Sequence, residues 1–332
     1  MKYSLIIPVY NRPDEVNELL ESLTHQTVND FEVIVVEDGS SIPCDKVCLE
    51  YHSKLDLHYY NKQNGGPGQA RNYGAERANG DYLLILDSDV VLPEGYLQAI
   101  SEELSNDPCD AFGGPDRASS SFTNIQKAIS YSMTSFFTTG GIRGGSKKKL
   151  DKFYPRSFNM GIKREVYLEL QGFSKMRFGE DIDFSIRIIK SGHKTRLFPG
   201  AWVYHKRRTD FKKFWRQVYN SGIARINLFK KYPDSLKLVH MLPMVFTVGV
   251  MFLLLSAAIL SSWLPLLPLL LYAILIFIDS SKQNKSLIIG LQSILSAFIQ
   301  LMGYGCGFLQ AWWKRCICGQ DEFSAFDKTF YK

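Results

Sequence analysis

The sequence predicts an α/β fold: a mostly parallel sheet flanked by helices, then an interfacial helix and a C-terminal transmembrane helical region. Three observations carry this. Apolar runs alternate with amphipathic stretches through the first third of the chain. Asp, Glu, Lys and Arg are absent from Val239 to Ile278 and again from Ser286 to Trp313. Between Lys206 and Lys231 nine basic residues face one acid, Asp210, just before the first uncharged run. Strands alternating with helices build a parallel sheet covered on both faces. An uncharged run from Val239 to Ile278 is longer than a soluble core helix pair requires.

The elements follow in order. Ser4–Val9 reads as the first strand; it is too short for a secretory signal core and has no cleavage site after it. Val16, Leu19, Leu20 and Leu23 share one face of a helix from Pro13 to His25. Phe31–Val36 and Leu57–Tyr60 are strands, and Pro67–Ala78 is a helix. Tyr82–Leu86 is a buried strand, and Pro93 opens a helix to Leu104. The stretch from about Asp110 to Leu150 is irregular. Its Gly140-Gly141, Arg143, Gly144-Gly145 and Lys147-Lys148-Lys149 suit either a basic lid over a phosphate or a solvated loop. Lys163–Leu170 and Asp181–Lys190 are helix candidates, and Ala201–Tyr204 is strand-like.

From Phe211 to Phe229, aromatic and aliphatic residues recur at helical spacing opposite a basic face, the pattern of an interfacial helix, with a helix packed on the soluble core as the alternative. Val239–Leu260 spans roughly 33 Å as a helix, enough to cross a bilayer core. A tight return and a second span, 263–279, follow, then a polar loop over Asp279–Lys285. The segment 286–311 either crosses again or lies re-entrant or interfacial, since it carries Gln292, Gln300 and several glycines. The division is therefore 1–208 catalytic, 209–235 interfacial, 236–313 membrane and 314–332 a polar tail.

Composition narrows the function. The chain of 332 residues has a net charge of +6, but the basic cluster abuts the apolar region. That position argues for an anionic membrane surface and against nucleic acid as partner. By the excess of basic residues, the N-terminal domain belongs in the cytoplasm, at the cell (inner) membrane. The six cysteines make no CxxC pair or metal-ligand set and suit reduced thiols.

The residues with chemistry gather after strands. Asp87-Ser88-Asp89 follows Tyr82–Leu86, at the strand ends where open α/β sheets bind ligands. Two carboxylates there suit a divalent cation holding a diphosphate, although two acids also suit a solvated turn. Glu37-Asp38-Gly39-Ser40 follows the second strand and can accept hydrogen bonds from a base or ribose. The turn from Asn64 to Gly68 enters a helix, where glycine amides can approach an anion. It is neither a dinucleotide fingerprint nor a Walker A motif. Glu180, Asp181 and Asp183 are either acids favoured in a first helical turn or hold a general base. His205 is structural or a metal ligand. Arg207, Arg208 and Arg225 are candidate phosphate contacts.

In their order, several segments resemble glycosyltransferase family 2 and its GT-A fold. These are Ile6-Ile7-Pro8-Val9-Tyr10-Asn11, Glu37-Asp38-Gly39-Ser40, Gly68-Gln69-Ala70-Arg71-Asn72, Asp87-Ser88-Asp89, Asn159-Met160-Gly161, Gly179-Glu180-Asp181 and Val203-Tyr204-His205. The resemblance implies inverting transfer of a sugar from a nucleotide diphospho-sugar, with UDP expected, to a lipid-linked or glycan acceptor. It implies a nucleotide-sugar site of Pro8, Tyr10, Asn11, Glu37, Asp38, Gly68, Arg71, Asp87, Ser88 and Asn159. It implies Mn2+ or Mg2+ on Asp89, Asp87 and His205, Asp181 as base, and Glu180 as its neighbour positioning sugar or acceptor. Glu37 stands where many members carry Asp, and no Gln-x-x-Arg-Trp is present, against a processive synthase. Transfer to a polyprenyl phosphate, nucleotide-sugar synthesis and a non-catalytic membrane scaffold are the rival readings.

Overall fold

A computed structural model describes residues 1–117, 122–139, 153–206 and 208–326. The expected basic loop at Gly140–Lys149 and Arg207 lie outside the described residues. The described residues divide into two compact units, one drawn from Met1–Ser119 and Lys147–Lys206, the other from Ser120–Ser146 and Arg207–Lys332.

The first unit is built on seven strands: β1 (Tyr3–Val9), β2 (Phe31–Asp38), β3 (Leu57–Lys62), β4 (Tyr82–Leu86), β6 (Ala111–Gly113), β8 (Asn159–Lys163) and β9 (Thr195–Leu197). Their order is β3-β2-β1-β4-β8-β6-β9. All pairings are parallel except those of β8, which runs against β4 and β6. The reversal brings Asn159, the first residue of β8, opposite Leu86, the last of β4. A second, three-stranded sheet has the order β5 (Val90–Val91), β10 (Val203–His205), β7 (Asp116–Arg117).

Both faces of the large sheet are buried, as continuous apolar parallel strands require. Leu5, Ile7, Val33, Val35, Leu84 and Leu86 point to one core. Helices α1 (Pro13–Thr24), α2 (Asp45–Tyr51) and α4 (Tyr96–Asn106) cover it with Leu19, Leu20, Cys48, Leu97 and Ile100. Ile6, Ile34, Val36, Leu83 and Ile85 point to the other, under α3 (Pro67–Ala75), α7 (Arg164–Glu169) and α8 (Glu180–Lys190). The chain turns helical at Tyr96 rather than Pro93, because Pro93 ends in a turn whose carbonyl accepts from Tyr96 N at 3.0 Å and Gln26 Nε2 at 2.9 Å. Lys163 closes β8, so the helix expected there starts at Arg164.

The second unit is helical: α5 (Asn124–Thr134), α6 (Phe136–Thr139), α9 (Phe211–Lys231), α10 (Leu242–Ile259), α11 (Leu267–Asn284) and α12 (Leu287–Ala311). Three of its helical stretches, Leu242–Ile259, Leu264–Asn284 and Leu287–Ile317, are long and apolar enough to cross a membrane. The first two are 11% buried and the third 39%, so α12 forms the centre of the unit.

Glycines set that packing. A Cβ on Gly307 would lie 2.0 Å from the Tyr219 carbonyl oxygen, and one on Gly222 would lie 2.1 Å from that of Tyr304. The backbones of α9 and α12 therefore touch, as small residues permit. The apolar side of α9, expected to lie on lipid, carries Phe214, Val218, Ile223 and Ile226, which pack on Ile129 and Met133 of α5 and Phe308 of α12. The expected polar loop Asp279–Lys285 is instead helical to Asn284. Asp279 is accommodated there because its carboxylate accepts from the Tyr131 hydroxyl at 2.6 Å and Gln283 Nε2 at 2.9 Å.

Candidate active site

The site lies at the carboxyl edge of the large sheet, where β1, β2 and β4 end. Asp87 and Asp89 follow β4, with Ser88 buried between them. The antiparallel pairing of His205 with Val90 places the imidazole beside them. His205 Nε2 is 3.2 Å from Asp89 Oδ1 and 3.9 Å from Asp87 Oδ2. One ligand atom from each of the three residues falls within 4.8 Å of the others. Two carboxylates and an imidazole form a donor set that fits Mn2+ or Mg2+. The Arg12 guanidinium also pairs with Asp89 and adds positive charge at this edge.

Arg71 joins this cluster to the acidic helix start. It is buried on α3, donating from Nη2 to Asp87 Oδ1 at 2.8 Å and from Nη1 to Glu180 Oε1 at 2.9 Å. Its guanidinium lies 5.1 Å from the centre of the Phe173 ring. Glu180 and Asp181 occupy the first turn of α8, entered through Gly179 at φ 86°. That left-handed conformation favours glycine. Gly68 lies close by, where a Cβ would meet Phe173 Cβ at 3.2 Å and Glu180 Cγ at 3.5 Å.

The adjacent carboxyls differ in ionisation. Burial pushes Glu180 up to about 7, helped by the charge of Asp181 and opposed by Arg71. Burial also raises Asp181. The charge and hydrogen bond of Arg156, with Arg71 and the Ile182 amide, more than offset this and hold Asp181 below the usual carboxylate range. Arg156 Nε donates to Asp181 Oδ2 at 2.6 Å, and Ile182 N donates to Asp181 Oδ1 at 2.8 Å. Neighbouring carboxyls driven apart in this way can take different acid–base roles.

The other expected residues organise the loops. Asp38 accepts from Gly65 N at 2.9 Å, Gly66 N at 2.8 Å and Lys62 Nζ at 2.7 Å. The anion held by these glycine amides is thus the Asp38 side chain. Glu37 is fully buried and accepts from Ser40 Oγ and from Cys44 N at 2.8 Å, bracing its own turn from inside. Asn11, at φ 55°, accepts from Ser41 N at 2.8 Å and Ile42 N at 2.9 Å, tying the loop after β1 to that after β2. Pro8, buried on β1, and partly buried Tyr10 flank it at the same edge. Asn159 is buried, accepting from the Tyr96 hydroxyl at 2.7 Å and donating to the Ala201 carbonyl at 2.8 Å. Arg208 and Arg225 belong to the second unit.

Arg12, Lys62, Arg156 and Phe173 reach the site from outside every motif. Arg12 was within reach of sequence reasoning, since it follows Asn11 in a loop at the same edge. Arg156 and Asp181 are 25 residues apart, and nothing local links them.

A mostly parallel sheet with acids and an imidazole at its carboxyl edge is a GT-A-type fold. The family model described as "Glycosyl transferase family 2" matches residues 4–170. The chain belongs to glycosyltransferase family 2.

An uncharacterised glycosyltransferase of Haemophilus influenzae is 30% identical over 195 residues, 56% of this chain and 62% of its own length. The chain spans less than two thirds of the length of such curated relatives, and only 13% of another that is 41% identical over 88 residues. The mannosyltransferase PcManGT of Pyrobaculum calidifontis, solved with GDP-Man and Mn2+, superposes with a TM-score of 0.64 at 18% identity. It covers 91% of this chain and 87% of its own. Residues 1–349 of Staphylococcus aureus TarS, solved with UDP-GlcNAc, give 0.51 at 21% identity, covering 68% and 67%. At these identities the two structures speak to the fold.

Proposed function

We propose that the protein is a membrane-anchored, metal-dependent inverting glycosyltransferase. It moves one sugar from a nucleotide diphospho-sugar, with UDP the expected nucleotide, to a lipid-linked or glycan acceptor at the cytoplasmic face of the cell membrane. The observation that carries this reading is the convergence of Asp87, Asp89 and His205, joined through Arg71 to Glu180, the neighbour of Asp181. The solved structures named above, with a nucleotide sugar bound to each, support the donor class.

Asp87, Asp89 and His205 would hold Mn2+ or Mg2+. When bound, the ion supplies positive charge to the departing diphosphate. Asp181 takes the proton of the acceptor hydroxyl, whose oxygen forms the new bond to the anomeric carbon. The bond from that carbon to the diphosphate oxygen breaks, and the nucleoside diphosphate leaves with the electron pair. A single displacement inverts the anomeric centre. Glu180, held by Arg71, lines the same helix start and positions sugar or acceptor. Asp38 and Arg71 are assigned to the base and ribose end of the donor. The apolar helices α10 to α12 supply the anchor, which keeps the site near a lipid-borne acceptor.

The test is a panel of nucleotide sugars presented to the full chain in detergent with and without Mn2+. Binding is read by calorimetry and turnover by release of the nucleoside diphosphate. The expected result is Mn2+-dependent binding and slow hydrolysis of at least one donor. Folded protein that responds to none overturns the reading. If a donor responds and Asp181→Asn retains near-wild-type transfer, the acceptor is one that arrives already ionised, such as a polyprenyl phosphate.

A further inference from the structure

We propose that the segment Pro155–Phe158 is a positioning element for the reaction, in which Arg156 fixes the Asp181 carboxylate and Phe158 fixes the His205 ring. The inference rests on the reading of Asp181 as base and His205 as metal ligand.

The segment is tied at both ends. The Pro155 carbonyl accepts from Ser185 Oγ on α8 at 2.5 Å. Asn159, directly after Phe158, is held on both sides of its amide by Tyr96 and Ala201. Between these ties two side chains reach two functional groups. Arg156 Nε and the Ile182 amide each bond a different oxygen of Asp181, which fixes the plane of that carboxylate. Each oxygen keeps a lone pair for an incoming hydroxyl. The guanidinium also keeps Asp181 ionised in a buried setting, where a lone carboxylate would take up a proton. Arg156 itself is partly exposed, with 39% of its side chain open. The clamp is therefore partly open to solvent while the carboxylate it holds is nearly covered.

At the other end, the Phe158 ring stacks on the His205 imidazole, with centroids 5.0 Å apart and planes 18° apart. A metal-binding imidazole is normally oriented by a hydrogen bond from its second ring nitrogen. His205 Nδ1 is buried and has no hydrogen-bond partner among the described residues. The stacked ring takes over that orienting role and aims Nε2 at the two carboxylates. One short segment thus carries two separable tasks, so the two side chains must fail in different assays.

The experiment uses the full chain in detergent and whichever of UDP-GlcNAc and GDP-mannose it hydrolyses. Mn2+ binding is read by electron paramagnetic resonance, without turnover. Arg156→Gln is expected to lower kcat for donor hydrolysis by roughly 10- to 100-fold, with donor KM and Mn2+ affinity within about twofold. Arg156→Lys should recover part of the loss. The acid limb of the Arg156→Gln pH profile should move upward, because removing the positive charge raises the Asp181 pKa. Phe158→Leu is expected to weaken Mn2+ binding by roughly tenfold or more, with kcat at saturating Mn2+ close to wild type, and Phe158→Tyr should restore affinity.

An Arg156→Gln protein with wild-type kcat, or one no worse than Arg156→Lys, overturns the role of Arg156. Unchanged Mn2+ affinity in Phe158→Leu overturns that of Phe158. Asp181→Asn separates the layers. If it turns over donor like wild type, the base assignment falls and the Arg156 role with it. If it is inactive while Arg156→Gln is normal, the Arg156 role alone is lost.

Discussion

The two units bury polar groups in opposite ways. At the sheet edge of the first, Glu37, Asp38, Arg71, Glu180, Asp181 and Asp183 are all buried, and the ion pairs of Asp38, Arg71, Glu180, Asp181 and Asp183 lie within the unit. Among the described residues of the helical unit, no fully buried polar side chain is charged. Its fully buried contacts between helices are neutral instead: Ser132 with Ser296 at 2.8 Å, Ser280 with Ser293 at 2.7 Å, and Thr247 with the Leu301 carbonyl at 3.5 Å. A buried charge is tolerated only with a partner, and the loss of that partner is severe. The sheet edge accepts the penalty because phosphate and proton transfer require charge. Helices whose outer faces are apolar have no such need and rely on hydroxyls, amides and close backbone approach.

The contrast sets an order of consequences. Asp89→Ala removes a proposed ligand, and Mn2+-dependent donor hydrolysis should fall by roughly a thousandfold. Thermal unfolding should stay close to wild type, since Asp89 sits on a loop. Retained hydrolysis would break the idea that charge is buried here for chemistry. Arg71→Met strands Asp87 and Glu180, and the expected destabilisation is about 3–5 kcal/mol, read as an early transition in denaturant unfolding.

In the helical unit, Gly307→Leu forces a side chain onto the Tyr219 carbonyl and should destabilise by about 1–3 kcal/mol. Its donor hydrolysis per folded molecule should match wild type. A smaller effect is expected from pH. Glu180 has a raised folded pKa of about 7, so the folded state holds its proton where the unfolded chain has lost it. The associated stability is present below the ordinary carboxyl range and is lost as pH rises through 7. Glu180→Gln should flatten that slope in thermal melts between pH 5 and 8. Ser132→Ala is the mildest change, about 1 kcal/mol or less. A loss as large as that of Arg71→Met would mean that the neutral contacts are not the weaker kind.

Much of the site was legible because its motifs are local. Pro8 to Asn11, Asp87 to Asp89 and Glu180-Asp181 each follow or open an element whose apolar pattern is plain, and all three gather at one edge. Where the structure departs from expectation, long-range packing decided. The amphipathic pattern of α9 reads as interfacial, and the periodicity does not show that the glycines of α12 let its backbone pack so closely. The polar run after Asp279 looks like a loop until Tyr131, 148 residues away, supplies a partner.

By itself the sequence determined the strand edges that carry the acids, the order of the elements and the apolar helices, because periodicity and charge are written residue by residue. Tertiary structure alone decided who pairs with whom. Arg71 is shared by Asp87 and a glutamate 109 residues further on, Asp181 is clamped by Arg156, and Glu37 and Asn159 turn inward. The physical reason is that a buried polar group must find a partner wherever the fold brings one, and sequence distance does not enter that requirement.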